Sequence, residues 1–181
     1  MKIFRSDQIK QIDDSTIKEE PIASIDLMER AAGQILKWYL SRFERSQHIC
    51  IFAWPGNNGG YGLALARILN SNRYDAEVFY IDFTEKTSDD WRMNLSRLKT
   101  ETDVKVTYLT DSVQFPVISS YDIIVDAIFG SGLSRPVEGL ASEIIKLLNQ
   151  TGSRIISIDI PSGLFCEDNT KNDIESIVNA D

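Results

Sequence analysis

The chain is short of the residues that most catalytic and metal chemistry relies on. It has one histidine, His48, and two cysteines, Cys50 and Cys166, in 181 residues. A Ser-His-Asp or Cys-His mechanism therefore has little to build on. The two cysteines lie far apart and form no CxxC, which excludes the usual Cys- and His-rich zinc sets. Cys50 reads as strand core and Cys166 as incidental. No run of Lys or Arg occurs, and the formal net charge is -8. A nucleic-acid partner is excluded on that ground, because phosphate backbones need a basic stripe. No apolar stretch approaches the roughly 20 residues of a membrane span, and the opening "MKIFRSDQIKQIDD" lacks a signal-peptide core. The expected protein is soluble, cytoplasmic and free of membrane partners. Any acid-base chemistry falls to Asp, Glu, Lys, Tyr or water.

What is present is a regular alternation. Two helical patterns come first, Ser6 to Ile17 and Ser24 to Arg42. Five short apolar, β-branched runs follow: His48 to Ala53, Ala76 to Ile81, Val104 to Leu109, Ile123 to Ala127 and Arg154 to Ile160. Helical patterns over Gly62 to Leu69, Asp89 to Lys99 and Leu140 to Leu148 separate most of them. Continuous apolar runs alternating with helices indicate strands covered on both faces. The fold class is α/β: a three-layer, Rossmann-like fold with a mostly parallel central sheet and helices on both faces. One domain is expected over 1–181, with a polar, weakly patterned last stretch, "CEDNTKNDIESIVNAD".

In such a sheet the ligand crevice lies beyond the carboxyl ends of the strands. Three polar turns fall there. The first strand runs into "AWPGNNGGYG", where Gly56, Gly59, Gly60 and Gly62 crowd together. It is neither a G-x-G-x-x-G fingerprint nor a P-loop. The glycines suggest close approach of a ligand to the backbone at the start of a helix, whose dipole attracts anions; a tight structural turn is the plainer alternative. Asn57 and Asn58 are turn formers or neutral oxygen donors for a cation. Asp126, between "IIV" and "AIF", and Asp159, at the end of "RIISID", occupy equivalent strand ends. Each alone could be a cap, but a carboxylate between apolar neighbours is costly unless an ion or hydrogen bonds compensate. With Ser162 nearby, oxygen donors of this kind suit a hard cation. Arg135 and, less strongly, Lys86 are the loop cations that could meet an anionic ligand.

Taken together, "DLMERA", "PGNNGGYG", "VDAIFGSGLSRP" and "SIDIPSG" resemble the NAD(P)H-hydrate epimerase family, the YjeF N-terminal domain, which includes the apolipoprotein A-I-binding protein. The likeness covers almost the whole chain, with the motifs in order. It implies an isomerase that interconverts the R and S epimers of hydrated NADH or NADPH with a bound potassium ion. It also implies a homodimer as an option and a frequent fusion partner, a dehydratase, that has no counterpart in this sequence. The family usually continues with another strand, so the chain reads as truncated at its C-terminal end. By matching positions, substrate contacts are implied at Asn57, Asn58, Gly59, Gly60 and Tyr61, at Gly130, Ser131, Gly132, Leu133, Ser134, Arg135 and Pro136, and at Asp159. Potassium is implied at Asn58, Asp126 and Ser162, and catalytic roles at Asp126 and Lys86. The sequence departs from the family loop at Trp54, where a Gly is usual, and at Tyr61, where an Asp is usual. Tyr61 sets an aromatic ring where the ligand is expected, which favours a rival reading: a non-catalytic nucleotide-binding or scaffold module on the same fold.

Overall fold

A computed structural model describes residues 4–82, 86–119 and 122–181. Helices α1 (Ser6–Glu19) and α2 (Ser24–Leu40) lead into an alternating core: β1 (Ile49–Ala53), α3 (Asn57–Ser71), β2 (Ala76–Ile81), α4 (Asp89–Glu101), β3 (Val106–Leu109), β4 (Ile123–Ala127), α5 (Gly139–Gln150) and β5 (Arg154–Ser157). Every strand pairing is parallel, and the spatial order is β3-β2-β1-β4-β5. The order reverses between β1 and β4, so the polar loops after these two strands flank the switch point, where sheets of this kind have their ligand crevice.

Both faces of the sheet are covered, which is why its central strands are apolar apart from Glu77 on β2 and Asp126 on β4. Ile49, Ile51 and Ala53 of β1 pack into one core with Leu36 and Tyr39 of α2, Leu65 and Leu69 of α3, and Trp91 and Leu98 of α4. Cys50 and Phe52, alternating with them, pack into a second core with Ile144, Ile145 and Leu148 of α5 and with Val178 of the C-terminal stretch. Each fully buried Leu, Ile or Phe contributes about 1.5–3 kcal/mol of transfer free energy. The helices carry the corresponding stripes. On α2, Ile25, Met28, Ala32, Leu36 and Tyr39 are buried at helical spacing. On α4, the Ser88 side chain caps the Trp91 N–H, Asp89 and Asp90 open the helix, and Lys99 closes it. Arg67 on α3 reaches Glu29 on α2 and Glu101 on α4, tying that layer together. α1 differs: it buries none of its residues, leaves Ile9 and Ile12 exposed, and meets the far loop where Ser6 Oγ donates to Glu167 at 2.9 Å.

The expected elements are all there, with shifted ends. α3 begins at Asn57 rather than Gly62, so the glycine-rich stretch is mostly helix. Its glycines answer to packing inside the protein. A Cβ on Gly59 would lie 1.8 Å from the Trp54 carbonyl oxygen, and one on Gly62 would lie 2.6 Å from the Ala127 Cβ on β4. On Gly60 it would meet the Met28 sulfur at 2.9 Å. The backbone that comes close to these glycines is largely the chain's own, since α3 must lie low over the sheet. β5 ends at Ser157 rather than Ile160: Ile158 N still donates to Asp126 O at 2.8 Å, but Asp159 then turns the chain with φ 71.

Candidate active site

The crevice is lined by the stretches that follow β1, β4 and β5. The deepest group is Asp126. It follows Ile124 and precedes Ile128, both in the α5-side core, and by strand alternation it faces that side. It is fully buried. Its carboxylate receives four hydrogen bonds. Ile128 N donates to Oδ1 at 3.2 Å and the Ser162 hydroxyl to the same oxygen; Ser157 Oγ and Ser162 N donate to Oδ2 at 2.7 and 2.8 Å. A carboxylate offers about four lone-pair sites, so all are taken. Burial pushes the Asp126 pKa up, and the donors from Ser162, Ser157 and Ile128 pull it partly back.

Ser162 and Asn58 complete this knot through one backbone group that side-chain reasoning had no means to find, Phe129. Phe129 N donates to Ser162 Oγ at 2.7 Å, and the Phe129 carbonyl accepts from Ser162 Oγ at 3.0 Å and from Asn58 Nδ2 at 2.8 Å. Asn58, from the first turn of α3, is thereby locked to the loop after β4. Ser157 is the other neighbour to which the sequence reading gave no role, although it opens the "SIDIPSG" motif. It stands at the end of β5, opposite Asp126 in the register.

Asp159 is the second strand-end carboxylate, and its setting is the reverse of that of Asp126. It is exposed, in a left-handed backbone conformation that Asp tolerates better than most residues. Its Oδ2 accepts the Ser131 N–H at 2.6 Å. A Cβ on Gly130 would fall 2.5 Å from that oxygen and 3.4 Å from Asn58 Oδ1, so Gly130 is the point where the three loops meet. Asn58, Asp126, Gly130, Ser131, Asp159 and Ser162 therefore converge. Beyond them Leu133 packs onto the α5-side core, while Gly132, Ser134, Arg135 and Pro136 stand exposed.

Trp54 and Tyr61, the two departures, are both partly buried. The Trp54 ring lies 5.1 Å from that of Phe129, bridging the loops after β1 and β4 on the α5 side. The Tyr61 ring packs against the core on the opposite side, under α2 and α4. Burial pushes its phenol pKa up, helped by the charges of Asp13, Asp159 and Asp90. Asp13 brings α1 into this neighbourhood: burial, Asp14 and Asp159 raise its carboxyl in turn. Lys86 is exposed just after β2, in a stretch held to the glycine loop where Ser88 N donates to Pro55 O at 3.3 Å.

Fold and site thus define a doubly wound α/β protein with a buried, hydrogen-bonded polar knot at its switch point. Residues 24–181 match the family model described as YjeF-related protein N-terminus, and the chain belongs to that family. It is 37% identical over 169 residues to the NAD(P)H-hydrate epimerase of Anaerococcus prevotii, covering 91% of this chain and 76% of that protein. It is 38% identical over 168 residues to the bifunctional NAD(P)H-hydrate repair enzyme Nnr of Dictyoglomus turgidum, where it covers 91% of this chain but spans only 32% of the relative. Among solved structures, yeast ynu0 (YNL200c) superposes with a TM-score of 0.73 at 25% identity, over 99% of this chain and 78% of the yeast chain. Among the described residues no helix is long and apolar enough to cross a membrane.

Proposed function

We propose that this chain is an NAD(P)H-hydrate epimerase, an isomerase acting on the R and S forms of hydrated NADH or NADPH. The observation that carries the reading is the knot itself. Asn58, Asp126 and Ser162 come from three separate motifs, yet Asn58 and Ser162 both bind the Phe129 backbone and Ser162 binds Asp126 at the switch point. Relatives named for this activity match over most of the chain.

Potassium fits these residues on the chemistry of the donors. Asn58, Asp126, Ser162 and the Phe129 carbonyl offer oxygen only, and among the described residues no Lys or Arg forms an ion pair with Asp126. Neutral oxygens around one carboxylate suit a weakly hydrated monovalent ion better than magnesium, which demands close octahedral geometry. Asn58, Asp126 and Ser162 would hold it, and it would supply fixed positive charge beside the substrate. The Ser162 hydroxyl has Phe129 O as a second acceptor at 3.0 Å, so it can release Asp126 Oδ1 without losing a partner.

The two aspartates divide the work. Asp126, enclosed and saturated with donors, positions the loops and sets the local charge. Asp159, exposed and pinned by Ser131 N–H, is the carboxylate that a bound hydroxyl can reach. The hydrated ring carries its hydroxyl on C6, next to the ring nitrogen. Exchanging faces requires that C–O bond to break and reform, or the ring to open and close. Lys86, on the stretch beside the glycine loop, is the group we assign to give and take the proton, a contribution typically of about 10²–10⁴-fold. The uncapped start of α3 and Arg135 would receive the pyrophosphate in a mouth otherwise rich in carboxylates. The cytoplasm suits both the substrate and the two free thiols, Cys50 and Cys166.

The test is chromatography of the two epimers over time, starting from purified S or R form in potassium buffer. Equilibration faster than the spontaneous rate is expected. Equal rates with and without folded protein would overturn the catalytic reading and leave the binding module, for which retained nucleotide binding would be the sign.

A further inference from the structure

The opposite, amino-terminal edge of the sheet carries a second constellation. His48 and Cys50 are two residues apart along the start of β1 and share the α5-side face. The parallel register sets Cys50 against Glu77 and Ile49 against Ala76, so Glu77 on β2 and Asp75 just before it stand beside them. His48 Nδ1 lies 2.9 Å from Asp75 Oδ2, and Nε2 lies 3.2 Å from Glu77 Oε1. Ligand atoms of His48, Cys50 and Glu77 all fall within 4.8 Å of one another.

We propose that His48, Cys50 and Glu77 form a binding site for a divalent cation of the zinc class, separate from the crevice at the carboxyl edge. The donor types argue for that class: one imidazole nitrogen, one sulfur and one carboxylate oxygen suit a borderline-soft ion and ill suit magnesium or potassium. The spacing argues for it too. Tetrahedral ligands at about 2.0–2.3 Å from zinc sit roughly 3.3–3.8 Å from each other, and the imidazole and carboxylate are already close to that. Asp75 on the other ring nitrogen provides the outer carboxylate that commonly orients a metal-bound histidine. Lys105 Nζ, 3.2 Å from Glu77 Oε2, occupies the second oxygen and leaves Oε1 to the ion. Cys50 is buried, whereas the side chains of His48 and Glu77 are 30% and 19% exposed, so the site opens to solvent on one side, where water can complete the coordination. On binding, the Cys50 thiol gives its proton to solvent as the sulfur–metal bond forms.

Cobalt(II) is the probe, since a tetrahedral thiolate complex absorbs in the near ultraviolet by sulfur-to-metal charge transfer and more weakly in the visible. Titration of the metal-free chain should saturate at one ion per chain, with both bands displaced by zinc. His48→Asn should abolish the visible bands, Cys50→Ser the charge-transfer band, and Asp75→Asn should weaken binding by about 10–100-fold, each with the far-ultraviolet dichroism of the parent. Absence of bands from the folded parent chain would overturn the site. So would a charge-transfer band that survives Cys50→Ser, or cobalt affinity unchanged in His48→Asn. Because His48 lies at the other edge of the sheet, epimer exchange without divalent ions should be the same in His48→Asn and in the parent.

Discussion

Replacing Asp126 with Asn removes one charge from the centre of the knot while nearly keeping its shape. With the remaining carbonyl facing Ser162 N and Ser157 Oγ, the new amide nitrogen faces the Ser162 hydroxyl, which can turn to accept, and Ile128 N–H, which cannot. One buried backbone donor is left without a partner, a loss of about 1–3 kcal/mol. The relief of burying a neutral group rather than a carboxylate, whose pKa burial already raises, offsets part of it. The net expectation is about 1–2 kcal/mol, a fall in Tm of roughly 2–8 °C for a chain of this size. Function should suffer far more than stability. Removing the charge should cancel any difference in Tm between potassium and sodium buffers and slow epimer exchange by about 10²-fold, the scale of one preorganised electrostatic contact. The assays are calorimetry in the two salts and epimer chromatography. An Asn variant with the parent exchange rate and an undiminished potassium effect would refute the reasoning. If the variant does not fold, Ser162→Ala, which removes only a hydroxyl, should give the same loss of the potassium effect.

Four further outcomes follow from the packing and the titrating groups. Gly33 sits inside α2 with nothing within 4 Å of an added Cβ, so Gly33→Ala should stabilise by about 0.5–1 kcal/mol, read as a higher denaturant midpoint. Gly59→Ala drives a methyl into the Trp54 carbonyl and should cost about 3 kcal/mol or more or prevent folding, whereas Gly132→Ala, in open space, should leave the melting temperature within about a degree or two. Tyr61→Asp restores the residue usual in the family but places a fourth carboxylate near Asp13, Asp159 and Asp90; it should lower stability while raising turnover if that carboxylate assists binding, and unchanged kinetics would show Tyr61 to be a neutral variant. Burial and the neighbouring Asp82 push Tyr80 up to about 12, and burial raises Tyr39 as well. The unfolded chain loses these protons first, so stability should fall as pH climbs from about 10 to 12, with tyrosinate absorbance appearing together with unfolding rather than before it.

The layer order of the fold was legible because the strands are covered on both sides and so read as apolar runs, broken in β4 only by Asp126; β1 and β4 are buried at every position. Element ends were less so. The glycines that looked like loop belong to the cap and first two turns of α3, because a helix laid this close to β4 tolerates no Cβ at Gly62 and one at Gly59 would strike the chain's own carbonyl. Of the site, the side chains that carry a motif could be picked out singly, as Asn58, Asp126, Asp159 and Ser162 were. The attachment of Asn58 and Ser162 to Phe129 could not, since a backbone N–H and C=O leave no mark in the residue type. Nor could the spacing of His48 and Cys50 suggest a partner, because Glu77 reaches them from another strand through the register alone.

The same register would let the two proposed sites, chemically different, share one sheet. In a parallel sheet every strand enters at one edge and leaves at the other, so residues at strand starts and strand ends are sorted into two separate rims. At the carboxyl rim the chain must turn from a buried strand into a covering helix, and each turn exposes backbone N–H and C=O groups together with short polar side chains. The knot of backbone N–H groups and short hydroxyls around Asp126 is the outcome. At the amino rim the strands are entered directly, and side chains two apart on adjacent strands stand side by side; His48 beside Asp75 and Cys50 beside Glu77 are such a set. A hard, weakly held monovalent ion suits the first rim and a borderline divalent ion the second. Potassium should therefore leave the cobalt spectrum of the amino rim unchanged, and zinc should not substitute for potassium in raising the melting temperature of His48→Asn.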